Sequence, residues 1–230
     1  IEYNVLMIDP DAFHLGPIAV RWYGIAYLVG LVTSILIMIR LNQKRSVFPS
    51  GKEQIYDLAF WVFLFGVILG GRLGYVLFYN LPYYLTHPVK IIAIWEGGMS
   101  FHGWLIGMLV VGYFYCKKHK IHFLDAADLS AAPASLALVF GRLANFINRE
   151  LVGRVIENPK WQFLGVDFGD EMLRWPSQLF AAGKDLLLFL ILLYIFTQNP
   201  RRGVLLASFL IGYGLLRFSV EFFRAPDSQI

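Results

Sequence analysis

LDAADLSAAPASLALVFGRLANFINRELVGR, residues 124–154, is apolar for most of its length and then turns abruptly polar. Its first part, Leu124–Ile147, is long enough to cross a bilayer, which takes about 17–25 residues. Gly141–Arg154 then sets Arg142, Asn145, Asn148, Arg149, Glu150 and Arg154 at the end of that span. A guanidinium in hydrocarbon costs about 2.5–3.5 kcal/mol even on the lenient insertion scale. An anionic ligand or an internal counter-ion has to offset that cost. Function is therefore sought at this end of the helix.

Five more stretches match the span in character: Ile18–Arg40, Gln54–Phe78, Met99–Cys116, Gly183–Thr197 and Gly203–Phe223. The fifth span in chain order, Gly183–Thr197, extends backward toward Ser177 if a longer apolar core is required. The 230 residues are 57% hydrophobic and only 16% charged, with mean hydropathy +0.58. Soluble domains average about 25% charged residues. The sequence thus predicts an all-α polytopic membrane protein with six transmembrane helices in a single integral-membrane domain, residues 1–230. The net charge of +4 does not signal nucleic acid, because nine of the twenty Lys and Arg residues fall in three short loops. Those loops carry Arg40, Lys44, Arg45 and Lys52, then Lys117, Lys118 and Lys120, then Arg201 and Arg202. Compact basic loops stay in the cytoplasm. The N-terminus, Tyr79–Gly98 and Asn148–Trp175 are accordingly expected outside. Pro82, Pro88 and Ile91–Trp95 predict a bent interfacial arm, and residues 148–175 a small extracytoplasmic cap.

Glycines recur every fourth residue at Gly66, Gly70 and Gly74, and again at Gly103 and Gly107. Such seams let helix backbones approach closely in lipid. The single cysteine, Cys116, can form no internal disulfide, and no metal-ligand spacing exists. Neither a metal nor another cofactor is expected.

With the basic loops inside, the intramembrane polar residues fall in the outer half of the membrane. Arg21 and Tyr23 begin the first span, Arg72 ends the second and His102 begins the third. Arg142 and Asn145 end the fourth, while Arg217, Glu221 and Arg224 end the sixth. The last three stand at i, i+4 and i+7 and share one helical face. Arginines gathered in low dielectric repel one another unless an anion sits among them, and guanidinium matches phosphate bidentately. Arg21 alone reads as a residue snorkelling to headgroups. Arg72 is read either that way or as paired with a carboxylate such as Glu96. His102 is a candidate base near neutral pH, and Tyr23 is either an interfacial anchor or a headgroup donor.

Six motifs in order resemble one family, the bacterial prolipoprotein diacylglyceryl transferases. They are Arg21-Trp22-Tyr23-Gly24, Gly70–Tyr75, Gly97–Gly103, Gly141–Arg154, Pro176-Ser177-Gln178-Leu179 and Glu221–Asp227. The resemblance spans nearly the whole chain. It implies transfer of the diacylglyceryl group of phosphatidylglycerol to the lipobox cysteine of a preprolipoprotein in the bacterial inner membrane. The active site then faces the outer leaflet, and the nucleophilic sulfur belongs to the substrate. Position by position, the resemblance makes Arg142, Arg224, His102 and Tyr23 the catalytic set. Asn145, Asn148, Glu150, Arg154, Arg72 and Glu221 become the substrate-binding set. Phosphatidylglycerol, the lipobox segment and the membrane are the implied partners. The sequence departs from the family pattern at Trp104, Ala144, Arg149, Trp175, Phe180 and Ala181, and the pattern carries a seventh span beyond the position of Ile230. These departures make a relative that only binds anionic phospholipid the alternative reading, with a small-anion transporter as a third.

Overall fold

The computed structural model describes residues 8–9, 11–15 and 18–226. Asp227, the end of the last motif, lies outside them. The chain divides into two compact units, Ile1–Ile37 with Asp128–Ile230, and Met38–Ala127. Five helices are long and apolar enough to cross a membrane: Trp22–Arg45, Lys52–Tyr79, Phe123–Ile147, Ser177–Thr197 and Val204–Glu221. The protein is a multi-pass, almost entirely helical membrane protein. The expected span Met99–Cys116 also forms an unbroken helix, α5 (Phe101–Lys118), but it is not among the five. Its 18 residues leave no room to exclude His102, Lys117 and Lys118, which lower its mean hydropathy.

The first span differs from its expected bounds at both ends. Ile18–Arg21 forms a strand, β2, paired antiparallel with β1 (Asp11–Leu15), so helix α1 starts at Trp22 and runs to Arg45. The β-branched Ile18 and Val20 favour the extended form once a partner strand is present. Arg21 is held by Asp11, with Nε 3.5 Å from the carboxylate. At 24 residues α1 is about 36 Å long. Arg40, Lys44 and Arg45 ride on its last turns instead of a loop, where Lys44 and Arg45 complement the helix dipole. Asn42 closes the turn that follows, donating to the Phe48 carbonyl at 3.0 Å and accepting from its N–H at 2.8 Å.

In the second unit, α2 (Lys52–Trp61), a π-helical segment (Val62–Leu69) and α3 (Gly70–Tyr79) form one continuous span. It packs on α5 through the predicted glycine seam. A Cβ on Gly103 would lie 2.4 Å from the Gly70 carbonyl oxygen, and one on Gly74 2.5 Å from the Gly103 Cα. The backbones touch, so no larger side chain fits at those positions. At the other end, the Tyr115 hydroxyl lies 3.0 Å from both the Gln54 carbonyl and the Asp57 carboxylate.

The arm after α3 consists of α4 (Leu81–Thr86) and two 3-10 turns, Pro88–Ile92 and Ile94–Glu96. Prolines begin two of these pieces, where a missing N–H costs nothing. Val89, Ile92 and Trp95 are each at least 70% exposed, the pattern of an interfacial segment. Lys90 pairs with Glu96, and this contact holds the Lys90 ammonium pKa above its usual value.

In the first unit, helices α6 (Phe123–Ile147), α7 (Ser177–Thr197) and α8 (Val204–Glu221) carry the site. Residues 148–175 hold a 3-10 turn (Pro159–Leu164) and a hairpin of β3 (Val166–Asp167) with β4 (Leu173–Arg174). Asp128 of α6 is buried and caps α8, accepting from Gly203 N at 2.6 Å and Leu206 N at 2.8 Å. The carboxylate satisfies two donors at the positive end of the helix dipole. Asp128→Ala is expected to destabilise the unit by about 1–2 kcal/mol, measured as a lowered thermal midpoint in detergent.

Candidate active site

Helix α6 ends in a six-residue closure that places the first functional groups. Arg149 N donates to Phe146 O at 3.2 Å and Glu150 N to Asn145 O at 2.9 Å, with Arg149 at φ +58°. This is the Schellman pattern, in which a residue in the left-handed region stops the helix. It folds Glu150 back over Asn145, whose side-chain amide donates to the Glu150 carboxylate at 2.9 Å. Asn145 itself is buried. The left-handed position favours glycine, yet Arg149 occupies it with a buried Nε that has no hydrogen-bond partner among the described residues. Arg149→Gly is expected to raise stability by about 1 kcal/mol, read as a higher thermal midpoint with the same fold.

The start of α7 is stitched to this closure. Ser177 Oγ donates to the Leu151 carbonyl at 2.9 Å and Gln178 Nε2 to the Glu150 carbonyl at 2.7 Å. The segment after α8 is stitched to it as well. Arg154 N donates to Phe223 O at 3.0 Å, Ala225 N to Val152 O at 3.2 Å, and Arg154 Nε to the Arg224 carbonyl at 2.9 Å. Gly153 pairs with Arg224 in an antiparallel bridge. One short loop thus fixes where three helix ends stand.

Between them lies an open hollow enclosing about 310 Å³, open solvent included. Arg142, Arg217 and Arg224 line it, with Ser177, Gln178 and Ala181. Arg142 of α6 and Arg224 of the segment after α8 therefore line one hollow. Arg217 pairs with Glu221 on the next turn. Arg142 Nε stands 3.9 Å from the Asp185 carboxylate, which also pairs with Lys184. Gln178 is buried, and its Oε1 has no hydrogen-bond partner among the described residues. Three guanidiniums around one hollow can bind an anion with several oxygens.

The other expected residues divide by location. Tyr23, its hydroxyl 3.0 Å from that of Tyr27, lies in the electrostatic field of Glu150 and Arg142. Arg154 acts through its grip on the Arg224 main chain. Asn148 sits in the helix closure with a buried Oδ1 that has no hydrogen-bond partner among the described residues. Arg72 and His102 belong to the Met38–Ala127 unit. His102 is exposed in the first turn of α5, edge-on to Phe101. Arg72 is 3% exposed and is taken up by main-chain carbonyls: Ile91 at 2.9 Å, Lys90 at 2.6 Å, Gly98 at 3.2 Å and Gly97. Its ring neighbours are Tyr84 and Tyr75. Its partner is thus not Glu96, and its donors tie the arm down in place of holding a substrate. Carbonyls of a 3-10 arm cannot be recognised as counter-groups in a sequence, whereas a carboxylate can.

Lys184 and Asp185 stand outside the residues expected from the sequence. An adjacent cation and anion inside a 21-residue apolar helix is a visible signal. A span that begins at Gly183 hides it, because both residues then fall at an apparent helix end.

The profile described as prolipoprotein diacylglyceryl transferase matches residues 10–230. The chain belongs to this family. Its relatives include proteins named phosphatidylglycerol–prolipoprotein diacylglyceryl transferase from Geobacter sulfurreducens, Dechloromonas aromatica and Cupriavidus pinatubonensis. The first is 46% identical over 97% of this chain and 85% of its own length. The second is 45% identical over 96% and 84%, and the third 44% identical over 96% and 80%.

Proposed function

We propose that this protein transfers the diacylglyceryl group of phosphatidylglycerol to the lipobox cysteine thiol of a preprolipoprotein, releasing glycerol phosphate. The observation that carries this reading is the hollow where Arg142, Arg217 and Arg224 converge in a member of this family. In the reaction the thiol loses its proton, and its sulfur attacks the glycerol carbon that bears the phosphate ester. A C–S bond forms as the C–O bond breaks, and the electron pair leaves with glycerol phosphate. Charge on the phosphate rises as that bond breaks. Fixed guanidiniums in a partly dry site stabilise this change more than the ground state.

Arg142 and Arg224 hold the phosphate in this reading, with Arg217 beside them. Asn145 and Glu150 keep the helix closure in shape, and Tyr23 offers a hydroxyl to the lipid headgroup. Glu221 restrains Arg217. His102 is proposed as a thiol base on the resemblance of Gly97–Gly103 alone, to be tested by the pH profile of His102→Gln. The basic loops support an N-terminus outside, residues 148–175 as an extracytoplasmic cap on a single membrane domain, and a site facing the outer leaflet of the inner membrane.

The test is incubation of the purified protein in phosphatidylglycerol liposomes with a peptide carrying a lipobox cysteine. A peptide heavier by one diacylglyceryl group is expected. Tight retention of phosphatidylglycerol with an unmodified peptide would replace the transferase with a lipid-binding protein; nothing observed favours that second reading.

A further inference from the structure

We infer that Asp185 is the positioning residue of Arg142, and that Lys184 fixes the carboxylate that does so. This rests on the transferase reading of the hollow but adds a part that touches no substrate. Asp185 is fully buried in the middle of α7. One of its oxygens is taken by Lys184, whose ammonium also lies over the Tyr213 ring at 4.2 Å. Its main-chain carbonyl accepts from Ser135 Oγ of α6 at 2.8 Å, fastening α7 to the helix that carries Arg142. The second oxygen, Oδ2, is buried, has no hydrogen bond among the described residues and faces Arg142 Nε at 3.9 Å.

A buried carboxylate held by Lys184 on one oxygen, on a main chain that Ser135 fastens, is a fixed charge. It meets the guanidinium at Nε, the edge nearest the side-chain stem. The two terminal nitrogens are then left for a ligand in the hollow that Arg142 lines. Lys184 supplies the opposite requirement. A free Asp185 carboxylate would bind Arg142 outright and compete with the phosphate. Pairing with Lys184 weakens that hold, so the guanidinium is oriented yet still cationic toward the cavity. Three guanidiniums, Arg142, Arg217 and Arg224, line the hollow, and they suit the doubly charged glycerol phosphate leaving group better than the singly charged phosphodiester. Asp185 therefore assists a charge that develops during the reaction.

The variants are Asp185→Asn, and the double substitution Lys184→Met with Asp185→Leu. The double variant exchanges a buried ion pair for apolar groups of similar size, a change that often leaves stability intact. In phosphatidylglycerol liposomes both are expected to lower kcat about 10- to 100-fold while KM for the lipid changes less than about threefold. Asp185→Glu recovers part of the loss. A folded double variant with wild-type kcat overturns the proposal and leaves the pair a structural feature only. A second readout needs no turnover: in protein labelled with ¹⁵N-arginine, the Arg142 Nε–H signal, assigned by its loss in Arg142→Lys, should exchange with water faster in the double variant. An unchanged signal overturns the positioning role whether or not transfer is observed. A wild-type protein without transfer but with the expected change in exchange would discard the transferase reading and keep the positioning of Arg142.

Discussion

Arg142→Ala is expected to lower kcat for diacylglyceryl transfer by about 10²–10³-fold, the usual cost of removing one fixed donor from a developing anion. The reason lies in where this guanidinium stands. It lines the hollow with Arg217 and Arg224, and Asp185 holds it from behind. Arg142→Lys recovers little of the loss. A lysine is a point charge on a flexible stem, so it can meet neither Asp185 along one edge nor a phosphate through two parallel N–H groups. KM for phosphatidylglycerol should rise much less than kcat falls, because Arg217 and Arg224 still attract the headgroup. The measurement is initial rate against lipid mole fraction, with the folded fraction checked by thermal midpoint. Near-normal transfer by a folded Arg142→Lys protein would remove the bidentate contact from the mechanism.

Gly153→Val is expected to remove both stability and activity. A Cβ at this position would lie 2.1 Å from the Trp175 carbonyl oxygen and 2.8 Å from the Phe223 carbonyl oxygen. Both obstacles are main chain, so no rotamer change relieves the clash. The strand around Gly153 is the joint through which Arg154 N and Ala225 N bond across the loop. Forcing it apart displaces Arg224 from the cavity and pulls Trp175, Phe223 and Phe180 out of their ring cluster. Overpacking against unyielding backbone costs on the order of 3–5 kcal/mol. The thermal midpoint should fall steeply, and the protein that remains folded should be as inactive as Arg224→Ala. Gly153→Ala is a milder test with the same direction. A Gly153→Val protein with an unchanged midpoint would mean that the joint opens freely.

Much of this architecture is legible in the sequence, for local reasons. Apolar runs long enough to cross a bilayer dictate helices, because an unbonded backbone group in hydrocarbon is prohibitive. The fourfold glycine spacing foretells backbones in contact, and Gly103 does meet Gly70 and Gly74. The polar burst after Phe140 foretells a polar helix end, and the Asn145–Glu150 contact lies there. The β1–β2 hairpin is not legible, since Ile18–Arg21 is as apolar as the helix it precedes and only pairing with Asp11–Leu15 makes it a strand. Arg72 is not legible either. A guanidinium needs partners, but the sequence does not say whether they are phosphate oxygens, a carboxylate or four peptide carbonyls.

The amino-acid order alone determined what depends on neighbours within a few residues: the apolar runs, the glycine seams and the polar end of the fourth span. Those follow from periodicity and from the cost of exposing peptide groups to lipid. The tertiary structure decided who faces whom. Arg142 reaches Asp185 across 43 positions and shares a hollow with Arg217 and Arg224 from the far end of the chain. Charged groups choose partners by distance in space, and that distance is set only when α6, α7 and α8 pack together.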